Sequence, residues 1–386
     1  MVLLNRNIQN LPDYPFDKLR GLLGTTKVNT KVIDMSIGQP MHPVPSFIKE
    51  IIYRGQDKWN NYPPLAGITA LQISYLRWLE NRFNVSSFFD EQNILPLSGT
   101  KEGLFSVAMA LNIQKICLPN PFYQAYLAAS LFDNIKKSFL LCNIDNDFLI
   151  DFKKLKLSLE NNPSLVYFCS PSNPQGKIAS YEYLEELIKI VRFYNSVLIV
   201  DECYTDIFYD KVPVGTIEVC EKLGNSLNNV LIFHSLSKRS NVAGLRSGYL
   251  IGDAKILKCF RKLRSYTAPT IPIPIQLASA ELWRDERHVI NNRELYKRKV
   301  KYSDKVFKNY ISYCAPEAGF FLWLKVKDGE RFTKKLYSKY AVKVMPGQYL
   351  ASGKKDNPGK KYVRVALVHQ EKKNNIGLEK ISKLVL

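Results

Sequence analysis

No run of about 18 consecutive apolar residues, the length a membrane-spanning helix needs, occurs anywhere in this 386-residue chain. Histidine is scarce: four residues standing apart at positions 42, 234, 288 and 369 argue against a histidine-built metal site. The seven cysteines, Cys117, Cys142, Cys169, Cys203, Cys220, Cys259 and Cys314, include no Cys-x-x-Cys pair. Their odd number and their scatter fit reduced thiols better than a disulfide framework or a zinc site. No internal repeat or low-complexity tract is present. The opening MVLLNRNIQNLPDYPF is broken by Asn, Pro and Asp before an apolar signal core could form, which predicts a cytoplasmic protein.

Acidic residues are also in deficit, 35 Asp and Glu against 55 Lys and Arg, for a net charge of +20. Such an excess raises the question of nucleic acid or acidic lipid. The positive charge is spread through KKSF, DFKKLKL, KILKCFRKLR, YKRKVKYSDK and GKKDNPGKKY rather than gathered in one arm. That distribution predicts a solvated basic surface, able to collect anionic metabolites but with no nucleic-acid or membrane partner.

What the chain does have is a regular alternation. Apolar, β-branched runs bounded by turn residues recur at 93–99, 115–120, 139–144, 165–171, 197–204, 229–237 and 248–253. Helix-periodic stretches such as KEGLFSVAMALN and YEYLEELIKIVRFY lie between them. The pattern predicts an α/β fold, with a seven-stranded, mostly parallel sheet covered on both faces, in a large domain over 45–270. After the proline-rich SYTAPTIPIPIQ comes a helix-compatible run from about 276 to 309, then AGFFLWLKV, RFTKKLYSKY and YVRVALV. Residues 1–44 and 271–386 are therefore expected to form a smaller α+β domain from both chain ends.

Four stretches carry chemistry. In SLSKRSNVAGLRSGYLIGD, Lys238 follows a strand, and Arg246 lies eight positions on. The first offers an amine that can bond an aldehyde once deprotonated, the second a planar fork suited to phosphate. LPLSGTKEGLF reads as strand, small-residue turn and helix, so that Ser98, Gly99 and Thr100 stand where a helix N-terminus can receive an anion. In VLIVDECYTDIFYD, Asp201 ends an apolar strand, where parallel sheets bind ligands, and Tyr204 follows three residues later. CSPSNPQG places Asn173 in a proline-bounded turn.

These stretches, in this order and together with NPFY and a late YVRV, resemble the class I/II aminotransferases of the fold-type-I pyridoxal-5′-phosphate (PLP) enzymes over nearly the whole chain. The resemblance implies that Lys238 bonds PLP covalently, that Asp201 pairs with the pyridine nitrogen, and that Tyr204 and Asn173 contact the ring hydroxyl oxygen. It further implies that Tyr123 stacks on the ring, and that Ser98, Gly99, Thr100, Ser235 and Arg246 hold the phosphate. Tyr62, in NYPPLAG, would reach the phosphate site of a neighbouring subunit, which implies a homodimer. Arg364 would grip the substrate α-carboxylate, with Gly38 lining the substrate pocket. No metal is implied; the partners are small amino acids and 2-oxo acids.

DYPFDKLRGLL, SIGQPMHPVP, LSGTKEGLF and ELWRDERHVINNRELY narrow the resemblance to the N-succinyldiaminopimelate aminotransferases of lysine biosynthesis. Lys101 and Gly103 depart from that pattern, where Arg and Ala are expected, and TAPTIPIP replaces a smaller Gly/Ala-rich stretch. The implied reaction is a ping-pong exchange between N-succinyl-LL-2,6-diaminopimelate and 2-oxoglutarate. Arg264 and the SIGQPMHP turn are candidates for recognising the distal end of the substrate. Aspartate, aromatic or acetylornithine aminotransferases and PLP β-lyases share the scaffold and stay open as alternatives. A nucleic-acid-binding regulator on the same body is disfavoured, because the aminotransferase pattern begins by about residue 14 and leaves no room for a helix-turn-helix reader.

Overall fold

The structure, a computed structural model, describes residues 3–9, 11–131, 135–353 and 356–385. Lys354 and Lys355 of the last basic stretch lie outside the described residues. Seven strands form the central sheet: β1 (Ile94–Leu97), β2 (Lys115–Asn120), β3 (Lys136–Leu141), β4 (Ser164–Cys169), β5 (Val197–Asp201), β6 (Val230–Ser235) and β7 (Gly248–Gly252). Their spatial order is β1-β7-β6-β5-β4-β2-β3. All neighbours are parallel except β7, which is antiparallel to both β1 and β6. Two reversals cancel, so β1 runs in the same direction as β4, β5 and β6, and all four end at one edge.

The central strands are apolar throughout because both faces are covered. In β5, Leu198 and Val200 pack into one cluster with Leu71, Trp78 and Leu187, whereas Val197 and Ile199 pack into another with Leu104, Phe122 and Phe260. This period-2 division places one core on each side of the sheet. The expected strand at 139–144 in fact spans Lys136–Leu141. It is an edge strand that exposes Lys136 and Lys137, and charged edges block pairing with other chains.

A third core, apart from the two that cover the sheet, gathers Ile33, Met35, Tyr296, Phe307, Phe320, Leu336, Val342, Val365 and Leu378. It packs around β8 (Phe321–Lys325), β9 (Met345–Pro346) and β10 (Tyr362–Ala366), ordered β9-β10-β8. The N-terminal residues join this body: Ile33 and Asp34 pair with Val342 and Lys343, and Leu19 and Leu23 pack with Trp323, Met345 and Leu350. The run from 276 to 309 is two helices, Ile273–Arg284 and Arg287–Phe307. Asp285 interrupts them by accepting the backbone N–H of His288 at 2.9 Å, an N-cap-like bond that starts the second helix. The first of these helices places Ala278, Leu282 and Trp283 in the core of the sheet domain, although the sequence division assigns it to the smaller one.

Candidate active site

The carboxyl ends of β1, β4, β5 and β6 meet at a cleft of about 410 Å³ between the sheet and the third core. Ligands of open α/β sheets bind at that edge, where the chain turns out of the strands. Of the residues singled out from the sequence, Gly38, Thr100, Tyr123, Asn173, Asp201, Tyr204, Ser235, Lys238, Arg246 and Arg364 line it.

Asp201 ends β5 and is buried. Tyr126 donates its hydroxyl to Asp201 Oδ2 at 2.6 Å, and the backbone N–H of Cys203 donates to Oδ1 at 3.2 Å. Both carboxylate oxygens are thus oriented, and the group is braced to face a cation. Tyr126 was not singled out. It lies 75 residues from Asp201, and its one signal is its place three residues after Tyr123 on a short helix.

Lys238 sits on the one-turn helix Leu236–Arg239, which Ser235 caps by accepting the Ser237 N–H at 3.1 Å. Its ammonium donates to the Gly38 carbonyl at 2.6 Å. Burial, opposed by Asp201 and assisted by the Arg364 and Arg246 cations, lowers its pKa to about 8. A neutral amine is therefore within reach near physiological pH, which an ordinary lysine does not offer.

The turn after β1 is shaped around Arg246. Gly99 adopts φ +80°, and a Cβ there would meet Arg246 Nη2 at 2.1 Å. Arg246 donates from Nη2 to the Ser98 carbonyl at 3.2 Å and from Nη1 to the Ala243 carbonyl at 3.0 Å. Ser98 turns its hydroxyl onto the Pro269 carbonyl and so meets Arg246 through its backbone. Thr100 and Ser237 add hydroxyls to the lining beside Ser235.

On the opposite wall, buried Arg364 donates from Nη1 to Asn173 Oδ1 at 3.0 Å and from Nη2 to the Ser36 carbonyl at 2.9 Å, with its guanidinium 4.3 Å from the ring centroid of Phe321. Among the described residues its Nε finds no hydrogen-bond partner. Burial lowers even this pKa, to about 10, so the cation is held where a carboxylate would relieve its desolvation. Gly38 lies so close to Phe321 that a Cβ would stand 2.6 Å from the ring. Tyr62, expected at the phosphate site of a neighbouring subunit, is fully exposed and does not line this chain's own cleft. Arg264 is buried against Glu102 and the Pro96 and Pro269 carbonyls, a structural role that removes it from substrate recognition.

Residues 30–381 match the family described as aminotransferase class I and II. The chain belongs to that family. An LL-diaminopimelate aminotransferase of Dehalococcoides mccartyi strain 195 is 28% identical, covering 98% of each chain. The crystal structure of an aminotransferase from Neisseria meningitidis Z2491 superposes with a TM-score of 0.93 at 34% identity, over 99% of this chain and 100% of that one. Aminotransferase AspB from Helicobacter pylori 26695 superposes with a TM-score of 0.90 at 32% identity, over 97% and 99% of the two chains.

This aminotransferase is accordingly a PLP-dependent transaminase of the fold-type-I class. The cleft fits that cofactor. Gly99 leaves room at the turn for the Arg246 guanidinium, whose Nη groups each give one N–H to a backbone carbonyl and keep a second for a phosphate, an oriented buried carboxylate suits a protonated ring nitrogen, and a buried amine of lowered pKa suits an aldehyde. Among the described residues no helix is long and apolar enough to cross a membrane, and no group of three or more His, Cys, Asp or Glu could hold a metal ion.

Proposed function

We propose that this aminotransferase exchanges an amino group between N-succinyl-LL-2,6-diaminopimelate and 2-oxoglutarate in a ping-pong reaction. The observation that carries this reading is a second cation in the cleft besides those assigned to the cofactor, Lys238 and Arg246. Lys101, exposed and lining the same cavity as buried Arg364, lies 4.7 Å from the ring centroid of Tyr14. Two cations, one deep and one exposed, suit a substrate with an α-carboxylate at one end and acidic groups at the other. Glutamate is a shorter version of the same pattern.

In this reading Arg246, the Ser98–Thr100 turn and Ser235 would hold the PLP phosphate, Asp201 its ring nitrogen, Tyr204 and Asn173 its ring oxygen, and Tyr123 its face. PLP supplies an aldehyde for the amine and a ring that accepts electrons released at the substrate's Cα. Arg364 orients the amino acid by its α-carboxylate through a bidentate fork. Lys238 Nζ, neutral once released, takes the proton from Cα and later returns one. Asp201, fixed by Tyr126, would accept a hydrogen bond from the protonated ring nitrogen and favour that charge. Phe321 and Tyr123 exclude water from around these groups.

A second reading, transfer from unacylated LL-diaminopimelate, is favoured by the name of the Dehalococcoides relative. Single-turnover absorbance with a panel of donors separates the two. Conversion to the pyridoxamine form by N-succinyl-LL-diaminopimelate and glutamate, with free LL-diaminopimelate at least about tenfold slower, supports the first. The reverse order selects the second, and response to aspartate or acetylornithine alone rejects both.

A further inference from the structure

The backbone of Lys238 is held by one end of a buried polar chain. Asn292 donates from Nδ2 to the carbonyls of Lys238 and Arg239, at 3.3 and 3.2 Å. Its Oδ1 lies 2.8 Å from His42 Nδ1 and also accepts from Asn241 Nδ2 at 3.0 Å. Lys299 lies 2.5 Å from His42 Nε2 and donates to the Leu367 carbonyl at 2.9 Å. Asn292, His42 and Lys299 are all buried, at 3%, 7% and 1% exposure.

The direction of every bond in the chain is determined. The Lys238 and Arg239 carbonyls can only accept, so the NH₂ of Asn292 faces them and its oxygen faces His42; the imidazole proton therefore stands on Nδ1, and Nε2 accepts from Lys299. Burial, reinforced by Lys299, lowers the His42 pKa to about 4, which keeps the ring neutral. Burial lowers Lys299 to about 7, but a neutral amine still has the two N–H groups this arrangement uses.

The carbonyls in question are the open end of the one-turn helix Leu236–Arg239, where a helix leaves its last C=O groups without partners. Asn292 supplies those partners from the long helix Arg287–Phe307, and His288, one turn earlier, lies 2.8 Å from Ser240 Oγ. At the other end, His42 lies four residues after Gly38, whose carbonyl receives Lys238 Nζ. Lys299 ties the chain to Leu367, three residues beyond Arg364.

We propose that Asn292, backed by His42 and Lys299, is a positioning residue that fixes the backbone of Lys238 so that its amine points into the cleft. The proposal rests on the reading of Lys238 as the lysine that bonds PLP. It touches neither PLP nor substrate and acts through the one-turn helix alone.

The test uses Asn292→Leu, which keeps the branched side-chain skeleton and removes all its hydrogen bonds, the two to the carbonyls included, with Lys299→Met as a second variant that unseats Asn292 from a distance. Apoenzyme of each is mixed with PLP, and the borohydride-reducible bond is followed in time. Pyridoxamine phosphate, which cannot form that bond, reports the intact pocket. In Asn292→Leu the bond should form about tenfold more slowly and kcat should fall about tenfold, with the KM for the amino donor and the affinity for pyridoxamine phosphate within about twofold of wild type. Lys299→Met should show the same signature at about threefold, and carries the test if Asn292→Leu does not fold. Wild-type bond formation in either folded variant overturns the proposal, as does a loss of pyridoxamine phosphate affinity in proportion to the slower bond. Lys238→Ala is run alongside: a reducible bond there would reject the underlying reading instead.

Discussion

Lys238 and Asp201 owe their chemistry to what surrounds them. Replacing Lys238 by Ala should abolish transamination while leaving the melting temperature within a few degrees, since one cleft-wall lysine adds little to stability; thermal unfolding and turnover measured together check this. Wild-type turnover in that variant would reject the assignment. Asp201→Ala should lower kcat by several orders of magnitude and cofactor affinity far less, because the phosphate contacts survive. Tyr126→Phe removes a bond to a charged oxygen, and by the usual worth of such bonds kcat should fall on the order of tenfold. Unchanged kcat would make Tyr126 a packing residue.

The lowered pKa of Lys238 also sets a pH dependence. In apoenzyme the neutral amine fraction rises as pH passes through about 8, so bond formation with PLP should speed up about fivefold from pH 7 to pH 8 and level off above. The unfolded chain, with its lysine at the ordinary value of 10.5, holds the proton that the folded apoenzyme has lost between those two values. Apoenzyme stability should therefore gain from this group as pH rises through that window. A bond-formation rate that is flat from pH 6 to pH 9 would show that the amine is not the titrating nucleophile.

The turn after β1 decides whether the phosphate end of the cleft exists. Gly99→Ala forces a side chain into a left-handed backbone and onto the Arg246 guanidinium. The expected cost is on the order of 1 to 3 kcal/mol of stability, with a larger proportional loss of PLP affinity, read by equilibrium dialysis. Affinity equal to wild type would mean that Arg246 is not the phosphate ligand. Where elements deviate from expectation, local competition explains them. β3 begins at two lysines because an edge strand needs no apolar outer rows, and Asp285 divides one long helical run because its side chain satisfies a backbone N–H.

For the assembled protein, the proposal of a homodimer rests on the resemblance of NYPPLAG, which implies that Tyr62, fully exposed, reaches the phosphate site of a partner. Sedimentation velocity should show a dimer at micromolar concentration whose activity falls on dilution below its dissociation constant. A fully active monomer would contradict it. The +20 charge should produce only non-specific DNA binding that collapses between low and roughly 150 mM salt; sequence-selective binding at that salt would reopen the regulator reading. The seven strands were legible in residue order because they depend on local periodicity, and Lys238, Asp201 and Arg246 stood out by their places near strand ends, whereas Gly38, Tyr123 and Arg364 were reached only through the family resemblance. The bracing of Asp201 by Tyr126, the diversion of Arg264 into the core and the chain from Lys299 to Lys238 were not legible. Each joins residues 54 to more than 200 positions apart or turns on which way a side chain faces, and that is decided only when the packed cores bring those elements together.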